Sequence, residues 1–180
     1  MKLHFLASGI LCLLASPLIA QVEDATDLSR YEIFEEGQNI ETLASLEEKE
    51  NQYLSAVAED GCEVALPLII DFATSANRLS NLIRRGIEPY YDARRDDQDQ
   101  MARNRSLLQT LASAENVSNS LIRQRNKAWV EEAKCLIALG DDEEATNRLY
   151  RALDYISHDE TELWEEAREL IWEQVGFDSE

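Results

Sequence analysis

Residues 128–156, AWVEEAKCLIALGDDEEATNRLYRALDYI, decide the reading of the chain. Taking 129–139 as one helix puts Trp129, Ala133, Leu136 and Ala138/Leu139 near one face. After the break at LGDDEE, the residues Ala145, Leu149, Ala152 and Leu153 form a second stripe at helical spacing. The small residues Ala133 and Ala145 let two antiparallel helices approach closely. Gly140 suits a helix end. Asp141 or Asp142 can cap the next helix, with Glu143 and Glu144 at its positive dipole end. The same acidic run lacks the alternating ligands and glycine of a calcium loop, so a metal site is not expected there.

The rest of the chain has the same texture. Apolar residues recur at i, i+3, i+4 nearly everywhere, and sustained period-two alternation is lacking, so the spacing predicts an all-α protein. Gly37, Gly61, Gly86, Gly140 and Gly176 each fall near the end of a periodic stretch. Helices are predicted over residues 27–36, 39–59, 62–85, 97–114, 117–139, 142–156 and 160–175. Pro67 lies early in the third, and Pro89 lies just beyond its expected end at Gly86. The segment GIEPYYDARRDDQDQ, 86–100, is the least regular and reads as a loop or a short helix.

The 128–156 pattern resembles the tetratricopeptide repeat, W-x2-L-G-x2-Y, then A-x3-F, then P. Trp129 takes the tryptophan position, Ala133 the small one and Leu136 the large one, while Ala145 and Leu149 follow in the second helix. Glu132 stands where leucine is usual and Ser157 where proline is usual. A fainter echo joins helix to helix through an acidic, glycine-bearing turn at 56–73, with Ala65, Ile69 and Phe72/Ala73 in the corresponding places. The resemblance implies stacked antiparallel helix pairs in a short solenoid. Two hairpins, 40–85 and 117–156, would flank a divergent middle, and helix 160–175 would cover the last apolar face with Leu163, Trp164, Ala167, Leu170 and Ile171. It also implies a module that binds proteins or peptides.

The N-terminal twenty residues, with Lys2, an apolar run from Phe5 to Leu14, Pro17 and Ala20, have the layout of a secretory signal peptide. The expected organisation is a signal at 1–20 and one helical domain at 21–180, exported to the periplasm or the extracellular space. Cys12 as a lipid-attachment site is the alternative, disfavoured by bulky Leu11 before it. After cleavage only Cys62 and Cys135 remain. In an oxidising compartment an even pair without CxxC spacing reads as a disulfide; two separate buried thiols are the alternative.

Charge narrows the partners. Residues 21–180 hold 16 Lys and Arg against 36 Asp and Glu. Such a chain repels nucleic acid and anionic headgroups, so neither is an expected partner. Residues 78–127 are the exception, with 10 basic and 6 acidic side chains. There Arg78, Asn81 and Arg85 are spaced to share a helical face, flanked by Asn77 and Arg84. Ser118, Arg123, Asn126 and Lys127 add donors above Trp129, and Tyr90 and Tyr91 offer apolar anchors. A groove built from Arg78, Asn81, Arg85, Tyr90, Tyr91, Arg123 and Asn126 would suit an acidic segment of a protein or peptide partner. The simpler account pairs these cations with the chain's own acidic flanks.

No nucleophile elbow, metalloprotease helix, phosphate loop or dinucleotide fingerprint occurs. His158, beside Asp159 and Glu160, reads as part of a helix cap. No cofactor, metal or catalysis is expected. The enzymatic alternative is a carbohydrate-acting envelope hydrolase, with Glu88 or Asp92 beside Tyr90 and Tyr91. A purely structural envelope component is a third reading.

Overall fold

The computed structural model describes residues 41–177. The expected signal peptide and the helix predicted over 27–36 lie outside the described residues. Within them there are six helices and no strand: α1 (Leu43–Glu59), α2 (Cys62–Tyr91), α3 (Arg95–Met101), α4 (Arg105–Leu139), α5 (Asp142–Tyr155) and α6 (Thr161–Gln174). The all-α class read from periodicity is the class observed.

Local chemistry sets most of the boundaries. Thr42 and Ser45 form a reciprocal capping box at the start of α1. Asn104 accepts from the Leu107 amide at 3.2 Å to open α4, and Asp141 accepts from the Glu144 amide at 3.3 Å to open α5. Gly140 ends α4 at φ 80°, a left-handed conformation that a side chain would strain, and the Asp141 amide returns to the Leu136 carbonyl.

Two expected boundaries are corrected. Helix α2 does not stop at Gly86 but runs through Pro89 to Tyr91. Leu79, Ile83, Ile87 and Tyr90 continue its inward stripe at spacings of three and four, and so close to the end Pro89 removes only one backbone hydrogen bond. Residues 97–114 and 117–139 are likewise not separate helices. A short α3 precedes one 35-residue α4, which contains no glycine or proline, and its stripe Leu111, Ser118, Leu121, Arg125, Ala128 crosses the supposed break without losing register.

The helices pack as a row in the order α1, α2, α4, α5, α6, each neighbour antiparallel to the last. Tyr53 of α1 meets Phe72 of α2 with ring centroids 4.9 Å apart, and burial pushes the Tyr53 phenol up to about 12. The α2/α4 pairing is the most extensive. Cys62 at the start of α2 forms a disulfide with Cys135 near the end of α4, Cα atoms 5.0 Å apart, and near the middle of both helices the Ser80 hydroxyl lies 2.9 Å from that of Ser118. Ala133, Ala145, Leu149 and Ala152 are fully buried where α4 meets α5, and Trp129 meets Tyr155 edge-on at 5.7 Å.

Charge is buried in this interface as well. The Arg125 guanidinium, 5% exposed, stacks 4.2 Å from the Trp129 ring centroid and donates to Asn77 at 2.7 Å and to Asn126 at 2.8 Å. Arg151 lies 4.8 Å from the centroid of the same indole. Glu132, 2% exposed, is joined at 2.9 Å by Arg148 of α5. Burial pushes the Glu132 carboxyl above its ordinary value, and the Arg148 cation offsets this only in part.

Replacing both Cys62 and Cys135 by serine releases a crosslink spanning 73 residues and is expected to lower unfolding stability by about 4 kcal/mol, read by denaturant titration. Reductant should bring the unmodified protein to the same value. For Glu132 the raised pKa gives a signed expectation. Its contribution is fully present below the pKa of the unfolded chain and is lost as pH rises through the higher folded value. The stability of Glu132→Gln relative to the parent should therefore improve as pH rises above the ordinary carboxylate range, measured by urea unfolding at a series of pH values.

Candidate functional site

Because neighbours alternate in direction, α1, α4 and α6 run parallel to one another, with α2 and α5 between them. Gln124 of α4 reaches Glu50 of α1 at 3.3 Å on one side, and Lys134 of α4 pairs with Glu166 of α6 on the other. A cleft of about 640 Å³ opens across these three helices, lined by Glu50, Gln124, Lys127, Glu131, Glu162 and Leu163 among others. A second hollow of about 330 Å³ lies along α1 and α4, lined by Leu43, Leu46, Glu47, Val117, Ser120 and Leu121 among others. Glu50 and Gln124 line both, so the two hollows adjoin along α4 where these side chains meet, and together they make a two-part groove.

The electrostatics of its larger end come from side chains far apart in sequence. Glu50, Glu131, Asp159, Glu160, Glu162 and Glu166 face it, against Arg123 and Lys127. Arg123 is ion-paired with Asp159. Hydrogen bonding from Ser157, with Arg123 nearby, holds the Asp159 carboxyl below its usual range. Glu160 accepts from the Ser157 amide at 3.1 Å and from Asn126 at 3.4 Å. Glu131 accepts from Lys134 at 2.9 Å. His158 gives its backbone carbonyl to Thr161, and the N-cap position of α6 is Glu160.

The residues expected to form a single basic groove are dispersed. Arg123 lines the large cleft, but Asn126 is 0% exposed beneath it, donating to the Tyr155 carbonyl at 3.0 Å, so it is a structural residue. Arg78 and Asn81 are exposed on α2 and line neither part of the groove. Arg85 pairs with Glu88 at 2.6 Å. Asn77 is engaged by Arg125, and Arg84 donates to Ser118 at 3.0 Å and to Asn119 at 3.2 Å. Tyr90 and Tyr91 stack edge-on at 5.2 Å, their carbonyls accepting from Gln98.

Tyr91 belongs to a different hollow of about 460 Å³ at the end of α2, where Arg84, Glu88, Asp92 and Glu115 gather. The carboxylates suggested for hydrolysis, Glu88 and Asp92, thus share one cleft with Tyr91, as their closeness in sequence allows. The groove carboxylates Glu50, Glu131, Glu162 and Glu166 were not anticipated. Each looks like an ordinary solvated helix residue until α1 and α6 are set on either side of α4. Among the described residues no group of His, Cys, Asp and Glu is arranged to hold a metal ion, and no helix is long and apolar enough to cross a membrane. No protein-family model matches the chain, and neither does any curated protein or solved structure.

Proposed function

We propose that the protein is an exported helical-repeat module, tetratricopeptide-like in its hairpins, that binds a protein or peptide and has no catalysis of its own. The two adjoining hollows on α1, α4 and α6, taken as one groove, carry this reading. The repeat-like residues support it by their burial: Trp129, Ala133 and Leu136 on α4, Ala145, Leu149 and Ala152 on α5, and Ala65, Ile69 and Phe72 on α2 are all core. Parallel helices with partners between them leave a channel along the row, a shape suited to a segment of another chain. Export rests on the layout of the first twenty residues and on the disulfide, a bond that persists in oxidising compartments. The step from helix pairs to binding is an analogy of fold.

The second reading, a carbohydrate-acting hydrolase of the envelope, rests on the hollow that gathers Glu88, Asp92, Glu115 and Tyr91. A structural role in the envelope would need neither cleft.

Ser120 is exposed on α4 and faces the groove, so Ser120→Trp should fill it without disturbing the core. In pull-downs from the native compartment the variant is expected to lose the partner captured by the parent, at unchanged helicity and melting temperature, while Ser120→Ala retains it. Equal capture by Ser120→Trp would place binding elsewhere. Envelope-polymer cleavage by the purified parent, abolished in Glu88→Gln, would establish the hydrolase instead.

A further inference from the structure

We infer that the groove takes an extended peptide segment with an apolar residue at one end and lysine or arginine at the other. This deepens the binding-module reading and rests on it. The two ends of the groove differ in chemistry. At the Val117 end four of the eight lining residues are aliphatic, exposed Leu43 and half-buried Val117 over buried Leu46 and Leu121, with Glu47 and Ser120 beside them. At the Glu131 end it is anionic, with six carboxylates against two cations.

The charges at the anionic end are only partly cancelled from within, by ion pairs and by Lys127 in the lining. Arg123 is engaged by Asp159, and Lys134 is shared between Glu131 and Glu166. Glu50 accepts a hydrogen bond from Gln124, and Glu160 accepts from Asn126 and the Ser157 amide with the Arg125 cation near enough to interact with it. Glu162 faces the cleft from the first turn of α6. An acidic segment would meet like charge along this wall, whereas a lysine or arginine head would meet carboxylates able to accept further hydrogen bonds. The aliphatic stem of such a side chain can lie along Leu163.

Length fixes the form of the occupant. From Val117 to Glu131 the groove follows α4 for about 21 Å at the helical rise. An extended chain covers that distance in about six residues. An apolar anchor and a basic anchor some five positions apart would then reach both ends at once.

The test uses the full oxidised protein and two fluorescent ten-residue peptides, each carrying Leu-Val and Lys-Arg-Lys separated by Ser and Gly, in opposite orders. Fluorescence anisotropy should show saturable binding of at least one. Binding should weaken by about tenfold or more between about 50 and 500 mM salt. A Glu-for-Lys/Arg version should not bind, and a Ser-for-Leu/Val version should bind more weakly. On the protein side, Glu50→Lys with Glu162→Lys should abolish binding and Leu43→Glu should reduce it. Glu169→Lys, a charge reversal outside the groove, should have little effect, with circular dichroism verifying helicity throughout.

Preference for the Glu-bearing peptide would overturn the inferred partner chemistry, as would indifference to the groove substitutions. Failure of both basic peptides to bind would do the same. In any of these cases, native capture that remains sensitive to Ser120→Trp would keep the binding module and discard only its basic partner. Loss of that sensitivity as well would remove both.

Discussion

The antiparallel pairing of α2 with α4 is the constraint on which the rest of the molecule depends. Both are long, and they are tied at one end by the Cys62–Cys135 disulfide and joined near their middles by the buried Ser80 and Ser118 hydroxyls. Fixed at these two points, the pair cannot slide by a turn without exposing Ala73, Ala76 and Ala128 and leaving the serines unsatisfied. The remaining helices add to this frame: α1 against α2 through Tyr53 and Phe72, and α5 against α4 through Trp129 and Ala133. The crosslink stabilises the frame by restricting the unfolded chain across most of the described sequence.

Polar groups inside this frame act as registry devices. Arg125 is held by the Trp129 ring, Asn77 and Asn126, and Asn126 in turn binds the Tyr155 carbonyl where α5 ends. One cation therefore links α2, α4 and the α5 terminus. Glu132 and Arg148 do the same for the middle of the α4/α5 interface. Glu132 occupies the place where the repeat pattern carries leucine, so an apolar contact is here replaced by a buried ion pair. Such pairs contribute less to stability than a hydrocarbon core would, because desolvation consumes most of the attraction. They penalise misaligned packing strongly, since a shift would strand a charge in the interior.

The groove follows from the same alternation. An antiparallel row returns every second helix to the same direction and the same side, so α1 and α6 flank α4 although they are distant in sequence. Their carboxylates converge while the long α4 supplies the floor. The charge of this surface is thus a property of stacking order, and it is opposite in sign to the basic middle of the chain. Those cations are largely absorbed: Arg84 by Ser118 and Asn119, Arg123 by Asp159, and Arg125 within the core.

Local sequence determined the helices. Their periodic stripes, the cap at Asp141, the left-handed Gly140 and the pairing of two cysteines are all legible because each depends on near neighbours or on simple parity, whereas the cap at Asn104 falls inside the helix expected over 97–114. Continuity through Gly86, Pro89 and the 114–117 stretch was not legible. Glycine and proline weaken a helix locally, but an apolar face packed on a long partner outweighs that cost. Arg78 and Arg123 could be placed on helix faces from spacing alone, but their separation onto different surfaces could not, because spacing gives a face and not the neighbour that covers it. Only tertiary packing made Asn126 a buried strut, put Glu50 opposite Glu162, and turned scattered acidic residues into one wall, since electrostatic potential depends on distance through space and not along the chain.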